Sequence, residues 1–104
     1  MIKINVIYSK EKTTIEIDGH AGYSDKGKDI VCAGVSSLYF TLGSRLLDLD
    51  KAIEVNGTEG HAIIVAKTEK GKMLESVETI LTGFRMLADD YSDYVILEER
   101  EEPT

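Results

Sequence analysis

A chain of 104 residues has room for one domain, and 42% hydrophobic with 30% charged residues is the composition of a folded globular protein, too apolar for a disordered one. Lys and Arg total 12 against 19 Asp and Glu, a net charge of −7, which argues against a nucleic-acid partner and suits a basic protein partner. The single cysteine excludes an intrachain disulfide and fits a reducing compartment.

The first twelve residues, MIKINVIYSKEK, carry no apolar leader pattern. The longest uncharged run, residues 30–44, reads as too short and too polar to span a bilayer. A cytoplasmic location is expected.

Ile2, Ile4, Val6 and Tyr8 alternate with polar neighbours, as do Thr13, Ile15 and Ile17. Period two predicts two strands, and the polar stretch between them predicts an antiparallel hairpin. Residues 18–29, DGHAGYSDKGKD, break the periodicity with three glycines and form a long loop, a place where function concentrates. Val31, Val35, Leu38, Leu42, Leu46 and Leu49 then recur at helical spacing, with Asp29 as the N-cap. One sheet covers only one side of such a helix, so its other side is expected to meet a second layer or a second subunit. Residues 52–55 and 61–67 predict two more strands separated by Asn56-Gly57. Ala62, Ile63, Ile64, Val65 and Ala66 are apolar without a break, which predicts a central strand buried on both faces. After a turn at Glu69-Lys70-Gly71, a second helix has Leu74, Val77, Leu81, Phe84, Leu87 and Tyr91 facing inward, with Lys72, Glu75, Glu78, Arg85 and Asp89 outward. Residues 94–97 form the last strand, and residues 98–104 an acidic, solvated tail. The fold class is α+β: two helices packed on a roughly five-stranded sheet, in the order β-β-α-β-β-α-β, within a single domain over residues 1–104.

Groups able to exchange protons concentrate around the glycine loop. His20 stands where the second strand ends, and Cys32 is the third residue of the helix that the loop enters. A helix N-terminus and a nearby imidazolium both favour thiolate over thiol. His20 can then act as base and later as acid, and first-turn N–H groups at Cys32 and Ala33, free of helical partners, can stabilise an oxyanion. The competing reading is a cysteine buried as a small hydrophobe. One cysteine and two histidines are too few for structural zinc. Gly27-Lys28-Asp29 lacks the Ser or Thr of a phosphate-binding loop. A redox-sensing thiol needs only one exposed thiolate. His61, at the start of an apolar strand, reads as a strand-end histidine bonded to water or a loop.

Gly19-His20-Ala21-Gly22-Tyr23, then Gly27, then Asp29-Ile30-Val31-Cys32-Ala33-Gly34-Val35-Ser36-Ser37-Leu38 resembles the signature of the ribosomal-processing cysteine proteases of the Prp type. Many members carry alanine where this chain has Gly34. The resemblance implies a homodimeric cysteine endopeptidase without cofactor or metal. Its partner would be a basic substrate, large-subunit ribosomal protein twenty-seven, whose N-terminal extension it removes. It implies His20 as general base and acid and Cys32 as nucleophile. It also implies a mobile glycine loop over the substrate, with Gly19, Gly22, Tyr23, Gly27, Asp29, Ala33, Ser36 and Ser37 around the peptide. The simpler reading is a Cys32–His20 dyad, since such a pair suffices to activate a thiol; if a third group orients His20 it would be Asp25 or Asp29, the latter already assigned to the helix cap. Alternatives from other classes are a non-enzymatic ribosome-associated binding protein and a thiol redox sensor.

Overall fold

The structure is a computed structural model that describes residues 1–25, 27–68 and 72–102, the side chains of residues 72–74 excepted. Its elements run β1 (Ile2–Tyr8), β2 (Lys12–Gly19), α1 (Ile30–Asp48), β3 (Ala52–Thr58), β4 (His61–Lys67), α2 (Lys72–Asp90) and β5 (Val95–Glu101), the predicted order. The five strands form one sheet in the order β3-β4-β2-β1-β5. β5 lies parallel to β1, and the remaining pairs are antiparallel. Cross-strand partners Ile4–Ile17, Val6–Ile15 and Ile15–Ile64 place the alternating apolar residues on one sheet face. There Ile4, Val6, Ile15 and Ile64 are buried with Val31, Leu42 and Leu46 of α1 and Val77, Leu81 and Phe84 of α2. Burying each such side chain stabilises the fold by roughly 1.5–3 kcal/mol.

Asp29 caps α1 from an extended conformation, its carboxylate accepting from Val31 N–H and Cys32 N–H. At the other end Asp50 adopts the left-handed region (φ 54°), and Lys51 N–H reaches Leu46 O at 2.9 Å. This closes the helix in the manner usually given to glycine. The inward stripe of α1 is Val31, Val35, Tyr39, Leu42, Gly43 and Leu46. Tyr39 and Gly43 thus take inward places that the periodicity did not assign. Leu49, by contrast, is exposed, and Leu38 turns toward Gly83 of α2. Length and hydropathy let α1 meet the requirement for a membrane span, contrary to expectation. Its apolar inward face is accounted for by packing against the sheet and α2.

Three strand predictions need correction. β3 continues through Asn56 and Gly57 to Thr58, because these residues pair with Ile63, Ala62 and His61; the chain turns at Glu59 and Gly60 instead. β4 is interior, yet only its Ile64 and Ala66 side enters the helix-covered core; on the other side Val65 is buried but Ile63 only half-buried. β5 does not stop at Leu97 but pairs with β1 as far as Glu101. The supposed solvated tail therefore supplies structure. Glu99 takes a two-pronged contact from Arg85 of α2 (2.6 and 3.1 Å) and a hydrogen bond from Tyr8 hydroxyl of β1 (2.6 Å), while Glu78 holds the guanidinium from the side at 3.3 Å. The Arg85 contact holds the Glu99 carboxyl below its ordinary range. Burial, reinforced by the Glu99 hydrogen bond, pushes the Tyr8 phenol up. Because these groups are partly exposed, Arg85→Ala should cost only about 1 kcal/mol. Chemical denaturation should show that loss shrinking in high salt; an unchanged midpoint at low salt would remove the network from the fold's energetics. The turn expected at residues 69–71 and the side chains of Lys72 and Leu74 lie outside the described residues, as do residues 103–104 of the tail.

Candidate active site

β2 ends at Gly19, and its position there is restrictive. Gly19 has φ +93°, and a Cβ on it would stand 2.3 Å from the Met1 carbonyl oxygen, a backbone atom. Its N–H donates to Gly60 O at 2.8 Å, and the Met1 amino group donates to His20 O. Gly19→Ala therefore meets both left-handed strain, roughly 1–2 kcal/mol, and a backbone collision. Its melting temperature should fall by more than about 5 °C, and a wild-type melting curve for this variant would refute the close approach.

Beyond His20 the chain turns toward α1. Ala21 is buried, and its N–H points at Cys32 Sγ at 3.4 Å. Asp29 gathers the loop: one carboxylate oxygen caps Val31 and Cys32 N–H (3.0 and 2.9 Å), and the other accepts from Tyr23 and Ser24 N–H (3.0 and 3.4 Å). Desolvation opposes its ionisation. Hydrogen bonds from the Cys32, Tyr23 and Ser24 backbones and from the Cys32 side chain outweigh that and hold the carboxyl below its ordinary value. The Tyr23 ring leans edge-on against Tyr91 and Tyr94, with centroids 5.7 and 5.1 Å apart.

Cys32 is half-buried and opens into a cavity of about 710 Å³. Gly19, His20, Gly22, Ser24, Gly27, Asp29, Ala33 and Ser36 line the same cavity. The sulfur is therefore not sealed in the core. A further recess of about 360 Å³ between α1 and β3 shares Ile17, Val35, Ser36, Thr58, Glu59 and Ala62 with it and extends past Tyr39 to the exposed Phe40. Together they form a groove with Cys32 at one end and an apolar wall at the other.

Of the residues singled out from sequence, Tyr23 and Ser37 are not in the cavity wall. Tyr23 faces the aromatic pair, and Ser37 carbonyl accepts from Thr41 hydroxyl. The N–H groups expected to be free for an oxyanion are occupied: Cys32 N–H by the Asp29 carboxylate, and Ala33 N–H by Asp29 O at 3.0 Å. Asp29 spends its carboxylate on four N–H groups, and neither Asp29 nor Asp25 hydrogen-bonds His20 among the described residues. No hydrogen bond joins His20 to Cys32 there either. The His20 imidazole lies instead over Gly60, where an added Cβ would meet Nε2 at 3.1 Å.

One side of the cavity was not anticipated. Thr58, Glu59, Gly60 and His61, at the turn between β3 and β4, line it. His61 is not left to water: its Nδ1 pairs with Asp18 Oδ1 at 2.5 Å, and that hydrogen bond raises the imidazole above its ordinary value. The sequence signal was Gly60 directly before an apolar strand, overshadowed by Asn56-Gly57.

The family model described as Cysteine protease Prp matches residues 1–96. The chain belongs to the Prp cysteine protease family. Its fold and enzyme class, cysteine peptidase, follow from that membership. Among similar Prp proteins, the ribosomal processing cysteine protease of Mycoplasma genitalium is 29% identical, with 95% of this chain and 96% of that protein covered. The Staphylococcus aureus protein of the same name is 27% identical, with 93% and 97% covered. The crystal structure of the S. aureus Prp protease with a covalently linked product peptide superimposes with a TM-score of 0.84 at 24% identity, covering 96% of this chain and 100% of that one. That likeness concerns the fold.

Proposed function

We propose that this protease removes the N-terminal extension of a basic large-subunit ribosomal protein, number twenty-seven, in the cytoplasm, with Cys32 as nucleophile and His20 as its base. The supporting observation is that the only cysteine of the chain opens into a groove whose wall also carries a histidine. The peptide lies in the groove between the start of α1 and the β3–β4 turn. His20 leaves Gly60 for Sγ as the peptide enters, since catalytic contacts commonly tighten only in the complex. It takes the thiol proton, and the sulfur attacks the scissile carbonyl carbon. The tetrahedral adduct collapses to a thioester as the C–N bond breaks and His20 returns the proton to the leaving amine. Water, deprotonated by His20, then hydrolyses the thioester and frees Sγ. With Cys32 and Ala33 N–H held by Asp29, the donor for the developing oxyanion is Ala21 N–H, which bonds the sulfur at rest and exchanges it for the oxyanion as the adduct forms. The charge of −7 guides a basic substrate to the groove more than it tightens binding. The exposed Phe40 and Leu47 of α1 suit the subunit interface of a homodimer.

Mass spectrometry of the ribosomal protein bearing its extension, incubated with the enzyme, tests this. A single cut that releases the extension is expected. An uncut substrate beside a native, alkylatable Cys32 would overturn the substrate assignment.

A further inference from the structure

The β3–β4 turn meets the strand end that carries His20 at three points. Asp18 and His61 face each other across β2 and β4 and share the 2.5 Å contact. One residue on, Gly19 N–H donates to Gly60 O at 2.8 Å. One residue further, the His20 imidazole lies on Gly60, whose φ of +81° and lack of a side chain leave room for the ring. Asp18 and Gly19 of β2 and His20 just beyond it thus engage only Gly60 of the turn and His61, the first residue of β4. None of these contacts is supplied by the helix that carries Cys32.

We infer that Asp18, Gly60 and His61 are positioning residues for His20: the Asp18–His61 bridge holds the turn against the strand end, and Gly60 is the shelf from which the imidazole swings to the sulfur. The bridge fixes the backbone on which His20 rotates, so the ring has to change only its own torsions to travel. Loosening it spreads the ring over unproductive positions, and small displacements of a reacting group are expensive in rate. His61 also lines the groove in which the peptide lies, whereas Asp18 does not, so it is the loss on removing the Asp18 carboxylate that belongs in kcat and not in KM. The ring of His61 has Asp18 as its partner, with Glu16 on β2 and Glu54 on β3 contributing negative charge nearby. The pair is exposed, so little folding stability is at stake when it is broken.

The inference rests on the reading of His20 as the base, and the test separates the two. In cleavage of the extension peptide, Asp18→Ala and His61→Ala should each lower kcat about tenfold, and Asp18→Ala should leave KM within about twofold. His61→Asn, whose side-chain amide can donate from near the place of Nδ1, should restore most of that loss. On a His20→Ala background, acylation of Cys32 by an activated peptide ester should be no slower with Asp18→Ala than without it. In the NMR spectrum of the unliganded protein, a cross-peak between Gly60 Hα and the His20 ring should weaken in Asp18→Ala. Unchanged kcat in both single variants, or an Asp18→Ala effect that persists in full without His20, overturns the positioning role. If the wild-type enzyme cleaves no peptide, the substrate reading fails, and the cross-peak and the acylation comparison still decide this one.

Discussion

Cys32→Ala should abolish peptide cleavage, with a loss of about 10⁴-fold or more, because no other thiol in the chain can form the acyl intermediate. His20→Ala should cost about 10²–10⁴-fold, the range for a positioned acid and base, since a thiol retains some nucleophilicity unaided. The ordering is the informative part. A protease that loses everything with the sulfur and much, but not all, with the imidazole uses them as nucleophile and base. Neither variant should unfold the protein. Cys32 is only half-buried, and His20 is exposed over Gly60. Rates for a quenched peptide spanning the extension, measured beside thermal melts of the same preparations, check both halves. Residual cleavage by Cys32→Ala at wild-type rates would remove the nucleophile assignment, whatever the melts show.

The parts of this molecule legible in the sequence are those governed by local rules. Alternation in β1 and β2, the apolar stripes of both helices and the cap at Asp29 each follow from residues within a few positions of one another. The candidate site was legible at the same level only in its placement: His20 and Cys32 border one irregular loop between a strand and a helix, and both line the cavity. What escaped depends on partners distant in sequence. Gly57 looks like a turn until Ala62 pairs with it. Glu99 looks like part of a charged tail until β5 lies parallel to β1 and Arg85 arrives from α2. The cavity wall at Gly60 and His61 escaped because it exists only when β4 pairs with β2, forty-odd residues away in the chain. The free N–H groups expected at Cys32 and Ala33 failed for a related reason. The cap that was read correctly is the same group that uses one of them up.

That double use of Asp29 carries the second large effect. Its carboxylate joins the first turn of α1 to the loop at Tyr23 and Ser24, so the stability of the helix start and the shape of the loop depend on one side chain. Asp29→Ala removes the cap, at about 1–2 kcal/mol, or roughly 4–16 °C in melting temperature for a chain of this size. It also frees the loop beside Cys32, and peptide cleavage should fall with it. Asp29→Asn discriminates between these roles. Asparagine caps a helix as well as aspartate does, but its amide nitrogen cannot accept from Tyr23 and Ser24. It should therefore keep most of the stability and lose the loop anchor and much of the activity. Acid gives a third handle. The folded carboxyl lies below its ordinary 3.8, so the unfolded chain binds the proton more readily. Its contribution is complete above the ordinary value and is lost as pH falls through the lower folded one. The difference in melting temperature between wild type and Asp29→Asn should therefore be constant near neutrality and shrink only below about pH 4. A difference that already closes between pH 7 and 5 would mean that some other group provides the anchor.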